Sequence, residues 1–188
     1  MAADLPTVLI VPGLRDDVPQ HWQTLLAARV PGTRSVPPMG RADLDVQSRV
    51  DAIESAVQAI EGPVLLVAHS GGCIMVAHWA RQTKRAVTGA LLAAPPDFDT
   101  PLPEGYPTLA ALQAGGWLPV PRARLPFRTI VAASRNDPLA SFARVVGLAN
   151  EWGAELDDLG YVGHLNPASG HGEWAGADPL IARLGAAL

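Results

Sequence analysis

The sequence predicts an α/β fold, a mostly parallel sheet covered by helices on both faces. Runs of apolar residues without polar alternation recur along the chain, and segments with apolar residues at helical spacing separate them. Strands that are apolar throughout are typical of a sheet buried on both faces. The chain has 188 residues, of which 48% are hydrophobic and 17% charged. We therefore expect one compact domain over residues 1–188.

The first half of the chain predicts two strands and three helices. Thr7–Val11 is a β-branched run closed by proline and glycine, and Val64–His69 is the next apolar run. Segments with apolar residues at helical spacing lie between these two strands and after the second one. The three helical patterns are the face of Trp22, Leu25 and Leu26 ahead of Gly32, residues 43–60 ahead of Gly62-Pro63, and residues 73–81.

The second half predicts three more strands and two more helices. The strands are "VTGALLAAP" at 87–95, "RTIVAAS" at 128–134 and "AELDDLG" at 154–160. The helices are the pattern of Phe142, Val145, Val146 and Ala149, and one opened by Asp178-Pro179 with Leu180, Ile181 and Leu184 inward. Residues 95–126 are rich in proline and glycine, with one short helix expected around 108–114, so any lid over the sheet is small.

Charge and cysteine content argue against several classes of partner. The net charge is −4 and no cluster of lysine and arginine occurs, so we expect neither nucleic-acid nor membrane binding. The single cysteine excludes an internal disulfide, and no Cys/His spacing resembles a zinc site. The start, "MAADLPTVLIVPG", has no cationic region and an apolar run of only five residues. We expect a cytoplasmic protein that needs no cofactor, and nothing indicates a protein partner.

The corner after the strand Val64–His69 carries the strongest functional signal. Ala68-His69-Ser70-Gly71-Gly72 fits a relaxed G-x-S-x-G nucleophile elbow, with alanine in place of the first glycine. The tight turn needs small residues two positions before and two after the serine, and it exposes the hydroxyl at a helix N-terminus. A Ser-Gly-Gly corner also occurs as a simple N-cap and turn. The position between a buried strand and a helix favours the nucleophile.

A nucleophilic serine needs a base and a carboxylate that orients the base. Asp137 follows a predicted strand, although Asp137-Pro138 is also a good helix N-cap. His164 follows the next strand, and His171 on the same glycine-rich stretch is its rival. The chain order Ser70, Asp137, His164 is that of a nucleophile-elbow hydrolase. We expect the remaining histidines, His21, His69 and His78, to pack or to point elsewhere.

Two backbone N–H groups are candidates for an oxyanion hole. Gly71 directly follows the serine, and Leu14 lies in the loop after the first strand, where Gly13 permits a close turn. That loop, "VPGLRDD", lacks the G-x-G-x-x-G pattern and carries two aspartates that would repel phosphate. A dinucleotide site is therefore not expected there.

Nearly the whole chain resembles the small serine hydrolases of the retinoblastoma-binding protein 9 type, within the α/β-hydrolase superfamily. The resemblance rests on "VPGLRDDVPQHWQTLL", "VAHSGGCIMVAHWA", "SRNDPLASFARVVGLANEWGAEL" and "GHLNPASGHGEW". It implies a minimal α/β-hydrolase fold with little or no cap and a triad of Ser70, Asp137 and His164. The G-H-x-N context implies His164 rather than His171 as the catalytic histidine. Ala68 is the one departure from the elbow pattern.

These features together predict a serine hydrolase that acts on esters or related small acyl compounds through an acyl-enzyme. Phe98, Tyr106 and Trp117 are candidate pocket walls, although a structural role fits each of them at least as well, and Cys73 is expected to face the core. Two alternatives remain from the sequence. One is a protein-binding module, or a dual-role protein, on the same fold. The other is acyl transfer or amide hydrolysis by the same triad.

Overall fold

The computed structural model describes residues 5–185 and contains a six-stranded parallel sheet of order β2-β1-β3-β4-β5-β6. The first four residues of the N-terminal segment considered above lie outside the described residues. The strands are β1 (Thr7–Val11), β2 (Arg34–Ser35), β3 (Val64–His69), β4 (Gly89–Ala93), β5 (Arg128–Ala133) and β6 (Glu155–Asp158). The helices are α1 (Trp22–Arg29), α2 (Val46–Gln58), α3 (Gly71–Ala80), α4 (Leu109–Ala114), α5 (Phe142–Trp152) and α6 (Ala177–Arg183).

The strand order brings the loops after β1 and β3 together. β1 and β3 pair directly, with Val11 opposite Ala68, but the chain leaves β1 toward β2 on one side and β3 toward β4 on the other. In open parallel sheets, this reversal of direction opens a crevice at the carboxyl ends of the strands. The glycine loop after β1 and the corner at Ser70 therefore meet at one edge.

Each face of the sheet supports its own core, which explains the apolar strands. Val64, Leu66 and Ala68 of β3 pack with helices α2, α3 and α5, whereas Leu65 and Val67 pack with α1 and α6. All six residues of β3 are buried. A strand covered on both faces has no solvent-exposed side, so its sequence does not alternate between apolar and polar residues.

The predicted elements agree with the structure apart from their ends and one edge strand. β2 was not predicted, because its two residues, Arg34 and Ser35, are exposed and polar. The helix predicted over 43–60 begins at Val46, since Asp45 acts as its N-cap and accepts a hydrogen bond from Ser48 N–H at 2.8 Å. The last helix begins at Ala177, one residue before the predicted Asp178-Pro179 start.

The segment that could form a lid is short, as the sequence predicts. Residues 95–126 are fully described, and α4, N-capped by Thr108, is their one regular element. The arrangement is a minimal α/β-hydrolase fold without an inserted cap domain. Within residues 5–185, no helix is both long and apolar enough to cross a bilayer.

Candidate active site

The corner between β3 and α3 holds Ser70 in a backbone conformation that residues with a Cβ rarely adopt. Its φ is 55° and its ψ is −132°. A Cβ placed on Gly72 would lie 2.5 Å from the carbonyl oxygen of Val11 and 2.8 Å from that of Pro12. The backbone of β1 therefore leaves room for glycine alone two residues after the serine. Such strain is stored where the surrounding fold enforces it, and it commonly marks a functional site.

The loop after β1 lies against the serine. A Cβ on Gly13 would be 3.0 Å from Ser70 Cβ and 3.1 Å from the His69 carbonyl oxygen, so this approach also depends on glycine. A Cβ on Gly71 would lie 3.6 Å from the Leu14 nitrogen, which puts the two candidate oxyanion donors side by side.

Neither of these two N–H groups is used in a hydrogen bond within the described part of the protein. Arg15 N–H donates to the Gly13 carbonyl oxygen at 2.9 Å, which closes a tight turn around Leu14. In the part of the chain that the structure describes, Leu14 N–H donates no hydrogen bond. Gly71 is the first residue of α3, so its N–H has no partner within the helix. Two free N–H groups beside Ser70 can receive a negative oxygen.

Three side chains from separate loops form a continuous hydrogen-bonded chain. His164 Nε2 lies 2.8 Å from Ser70 Oγ, and His164 Nδ1 lies 3.0 and 2.8 Å from the two carboxylate oxygens of Asp137. The side chains of His164 and Asp137 are only 5% and 2% exposed. A carboxylate accepts hydrogen bonds, so the proton of the neutral ring is on Nδ1. The Nε2 lone pair is then free to accept the serine proton.

The loops that carry the acid and the histidine are tied to each other. Asn136 Oδ1 accepts a hydrogen bond from Gly163 N–H at 2.8 Å, directly beside both side chains. Ser169 Oγ accepts from His164 N–H at 2.9 Å and donates to Asn166 Oδ1 at 2.9 Å. Asn166 also caps the 3₁₀ turn Pro167–Ser169. Sequence reasoning missed Asn136 and Ser169, although N-P-A-S is a recognisable capping pattern.

His171, the rival base, does not reach the serine. Its backbone N–H donates to the Asn166 carbonyl oxygen at 3.0 Å, closing the turn that follows His164. Its ring lies outside the cavity that contains Ser70. The structure therefore brings His164, and not His171, to the other two residues of the predicted triad.

His69 packs against His164 and His21 packs against His69, an arrangement that the sequence did not reveal. His69 Nε2 donates to the His164 carbonyl oxygen at 2.8 Å, and the centres of the two rings are 4.9 Å apart. The His21 ring lies 4.7 Å from His69, and His21 Nδ1 accepts from Gln23 N–H at 3.2 Å as the N-cap of α1. His78 is a packing residue, bonded to the Trp117 carbonyl oxygen.

Burial keeps the two added histidines neutral. It lowers the pKa of His69 well below its ordinary value and lowers the pKa of His21 to about 3, with nearby cationic groups acting in the same direction. His69 therefore packs against His164 as an uncharged ring, and His21 packs against His69 in the same state.

A cavity of about 310 Å³ opens beside Ser70, and we call it the Ser70 cavity. Phe98 and Tyr106 line it as expected, but Trp117 does not, because it is fully buried and its Nε1 donates to the Leu44 carbonyl oxygen at 2.7 Å. Cys73 faces the core, with its thiol buried against Ala93. Within residues 5–185, no group of three His, Cys, Asp or Glu side chains is placed to hold a metal ion.

The chain is similar to known hydrolases over almost its full length. It is 30% identical to a YdeN-like hydrolase from Pectobacterium atrosepticum, with a TM-score of 0.79, covering 96% of this chain and 91% of that one. The ydeN gene product of Bacillus subtilis (19% identity, TM-score 0.73, 95% and 98% coverage) shares the fold. An α/β-superfamily hydrolase from Oenococcus oeni also shares the fold (14% identity, TM-score 0.65, 97% and 94% coverage).

No curated protein matches the chain in sequence. A family model described as serine hydrolase matches residues 8–183, which include β1, the Ser70 corner and both late loops. The match agrees with the 30% identity to the Pectobacterium protein. The chain belongs to the serine hydrolase family.

Proposed function

We propose that this hydrolase cleaves esters of small acyl groups, with Ser70 as the nucleophile, His164 as the base and Asp137 as the orienting carboxylate. One observation carries the proposal: a strained, cavity-facing Ser70 lies 2.8 Å from His164 Nε2, whose Nδ1 is held by Asp137. A scaffold that only binds proteins has no need of this strain.

In acylation, Ser70 Oγ attacks the ester carbonyl carbon while His164 Nε2 takes the hydroxyl proton. The new C–O bond forces the carbonyl electron pair onto the oxygen, and the N–H groups of Leu14 and Gly71 stabilise it there. Asp137 stabilises the imidazolium that forms and keeps the proton on Nδ1. The intermediate then collapses, the alcohol leaves, and His164 gives it the proton from Nε2.

In deacylation, a water molecule takes the place of the alcohol. His164 Nε2 removes a proton from the water as its oxygen attacks the acyl carbon, and the same N–H groups hold the second oxyanion. Collapse breaks the bond to Ser70 Oγ, which regains its proton from His164. The acid is released and the enzyme is restored.

The Ser70 cavity favours short acyl chains and a carboxylesterase-like specificity. About 310 Å³ lies at the lower limit of common ligand pockets. The walls include Phe98, Leu102 and Leu139, which suit an aliphatic chain. The Q-H-W and G-H-L-N motifs support a hydrolase of the retinoblastoma-binding protein 9 type. A cytoplasmic location and the absence of nucleic-acid and membrane partners stay predictions from the sequence.

Steady-state hydrolysis of para-nitrophenyl butyrate tests the proposal. We expect Ser70→Ala and His164→Ala to lose about 10³-fold or more of kcat. His171→Ala, the matched control from the same loop, should keep kcat within a few fold. Activity that survives Ser70→Ala would remove the serine mechanism. No hydrolysis of esters, amides or acyl-transfer donors by the folded parent would instead favour a binding protein.

A further inference from the structure

Two arginines line the Ser70 cavity. Arg15 and Arg41 line it together with Ser70 and His164, and no aspartate or glutamate is among its lining residues. The chain as a whole carries a net charge of −4, so this cavity is opposite in sign to the protein around it. Such a concentration of one charge attracts ligands of the opposite charge.

Neither arginine forms an ion pair with the described part of the protein. Within residues 5–185, no carboxylate lies within ion-pair distance of Arg15 or Arg41, whereas five other arginines are paired. Those five are Arg29, Arg122, Arg135, Arg144 and Arg183. Asp16 and Asp17 follow Arg15 in sequence, but both are exposed and neither lines the cavity.

Arg15 bears a cost of burial that the protein offsets only in part. Within residues 5–185, its Nε is buried without a hydrogen-bond partner, and the hydrogen bond from its Nη1 to the Asp16 carbonyl oxygen is exposed. Burial lowers the pKa of its guanidinium, and the charge of Asp17 offsets only part of this effect. A ligand carboxylate would recover this cost through charge-assisted hydrogen bonds.

Arg41 is held in place at the mouth of the same cavity. Its Nε donates to the Leu14 carbonyl oxygen at 2.9 Å, its Nη1 donates to the Gly105 carbonyl oxygen at 2.6 Å, and its guanidinium lies 4.5 Å from the centre of the Tyr106 ring. These contacts leave Nη2 without a partner among the described residues. A guanidinium fixed in this way loses little conformational entropy when it binds an anion.

We propose that the Ser70 cavity selects esters that also carry a carboxylate, with Arg15 and Arg41 binding that carboxylate while Ser70 attacks the ester carbonyl. This inference rests on the proposed function. The apolar walls then contact the carbon chain between the two groups, and the arginines set which esters are preferred.

Two matched ester pairs test the inference, one for each half of the substrate. The acyl pair is mono-para-nitrophenyl adipate and para-nitrophenyl hexanoate. The alcohol pair is para-carboxyphenyl butyrate and its neutral methyl-ester counterpart. We expect the parent to prefer the anionic member of one pair by about tenfold or more in kcat/KM, because only a carboxylate forms charge-assisted hydrogen bonds with the two guanidinium groups. Added salt should reduce that preference.

Variants separate the arginines from a general charge effect. Arg15→Gln and Arg41→Gln should each lower the ratio of anionic to neutral kcat/KM several fold. Arg81→Gln is the matched control, because Arg81 is exposed at the far end of α3 and lines no part of the cavity. The control should leave the ratio unchanged. Neutral esters hydrolysed as well as anionic ones, in both pairs, would overturn the inference while the proposed function stands.

A binding measurement decides the inference without turnover. Calorimetry on Ser70→Ala covers both halves of the substrate, with monomethyl adipate against methyl hexanoate and para-carboxyphenyl butyrate against its methyl-ester counterpart. The anionic member of one pair should bind about tenfold more tightly than the neutral member, and Arg15→Gln in that background should remove the difference. Equal binding within both pairs would overturn the carboxylate site. If the parent hydrolyses no ester but the difference in binding is found, the proposed function fails and the anion site remains.

Discussion

Acid should unfold this protein through its buried histidines, and His21 allows the effect to be isolated. The pKa of His21 is about 3 in the folded state and 6.5 in an unperturbed side chain. Between these values the unfolded chain binds a proton that the folded chain does not. The free energy of unfolding therefore rises with pH in this window. The contribution is fully present above pH 6.5 and is lost progressively as the pH falls toward 3.

The change in the free energy of unfolding can be calculated from the one proton that His21 binds only in the unfolded chain. Each pH unit within the window changes the free energy of unfolding by about 1.4 kcal/mol per histidine. From pH 6.5 to pH 4.5, His21 alone lowers stability by about 2.3 kcal/mol, because the unfolded histidine is already half-protonated at pH 6.5. This is a large share of the roughly 5–15 kcal/mol that holds a typical domain folded. His69, whose pKa burial also lowers, adds to the loss.

Denaturant unfolding of the parent and of His21→Asn, measured between pH 7 and pH 4.5, isolates this contribution. Asparagine keeps a side-chain acceptor for Gln23 N–H at the start of α1 but does not titrate in this range. We expect the variant to be less stable at pH 7, because a smaller side chain leaves a cavity. As the pH falls, the stability of the variant should decrease less steeply than that of the parent, and the difference in slope should approach about 1.4 kcal/mol per pH unit below pH 5.5. Parallel profiles would refute the reasoning.

Three substitutions give further predictions. Asp137→Asn should keep the fold, as judged by circular dichroism, and lower kcat by about 10⁴-fold, because an amide favours the wrong His164 tautomer. Gly13→Ala should lower kcat by about tenfold or more, since its Cβ would meet Ser70 Cβ at 3.0 Å and displace Leu14 N–H; an unchanged kcat would contradict this. Gly147→Ala, within α5 and with no atom within 4 Å of the new Cβ, should raise the free energy of unfolding by roughly 0.5–1 kcal/mol in denaturant titrations.

The central strands were predictable because burial on both faces requires apolar residues at nearly every position. Val64–His69 contributes to two cores, and its composition follows directly from that position. β2 was not predictable, because Arg34 and Ser35 are exposed and are held by backbone pairing to β1. An edge strand of two polar residues carries no hydrophobic pattern at all.

The three members of the proposed triad were chosen from spacing, since each follows a strand and the carboxyl ends of parallel strands share one edge. The packing of His21 on His69 and of His69 on His164 was not predictable. It depends on how α1 packs beside the carboxyl end of β3, and His21 is an unusual N-cap residue. For Trp117 the sequence left a pocket wall and a structural role open, because aromatic character alone does not reveal that the ring is buried against Phe98.

Covalent labelling with a fluorophosphonate probe tests the central claim most directly, because the probe reacts with a serine only when a base activates it. Intact mass and peptide mapping of the labelled parent should show one adduct, located on Ser70. Labelling should disappear in Ser70→Ala and His164→Ala and persist in His171→Ala. A folded parent that takes up no probe, or that carries the adduct on another residue, would contradict the proposed mechanism.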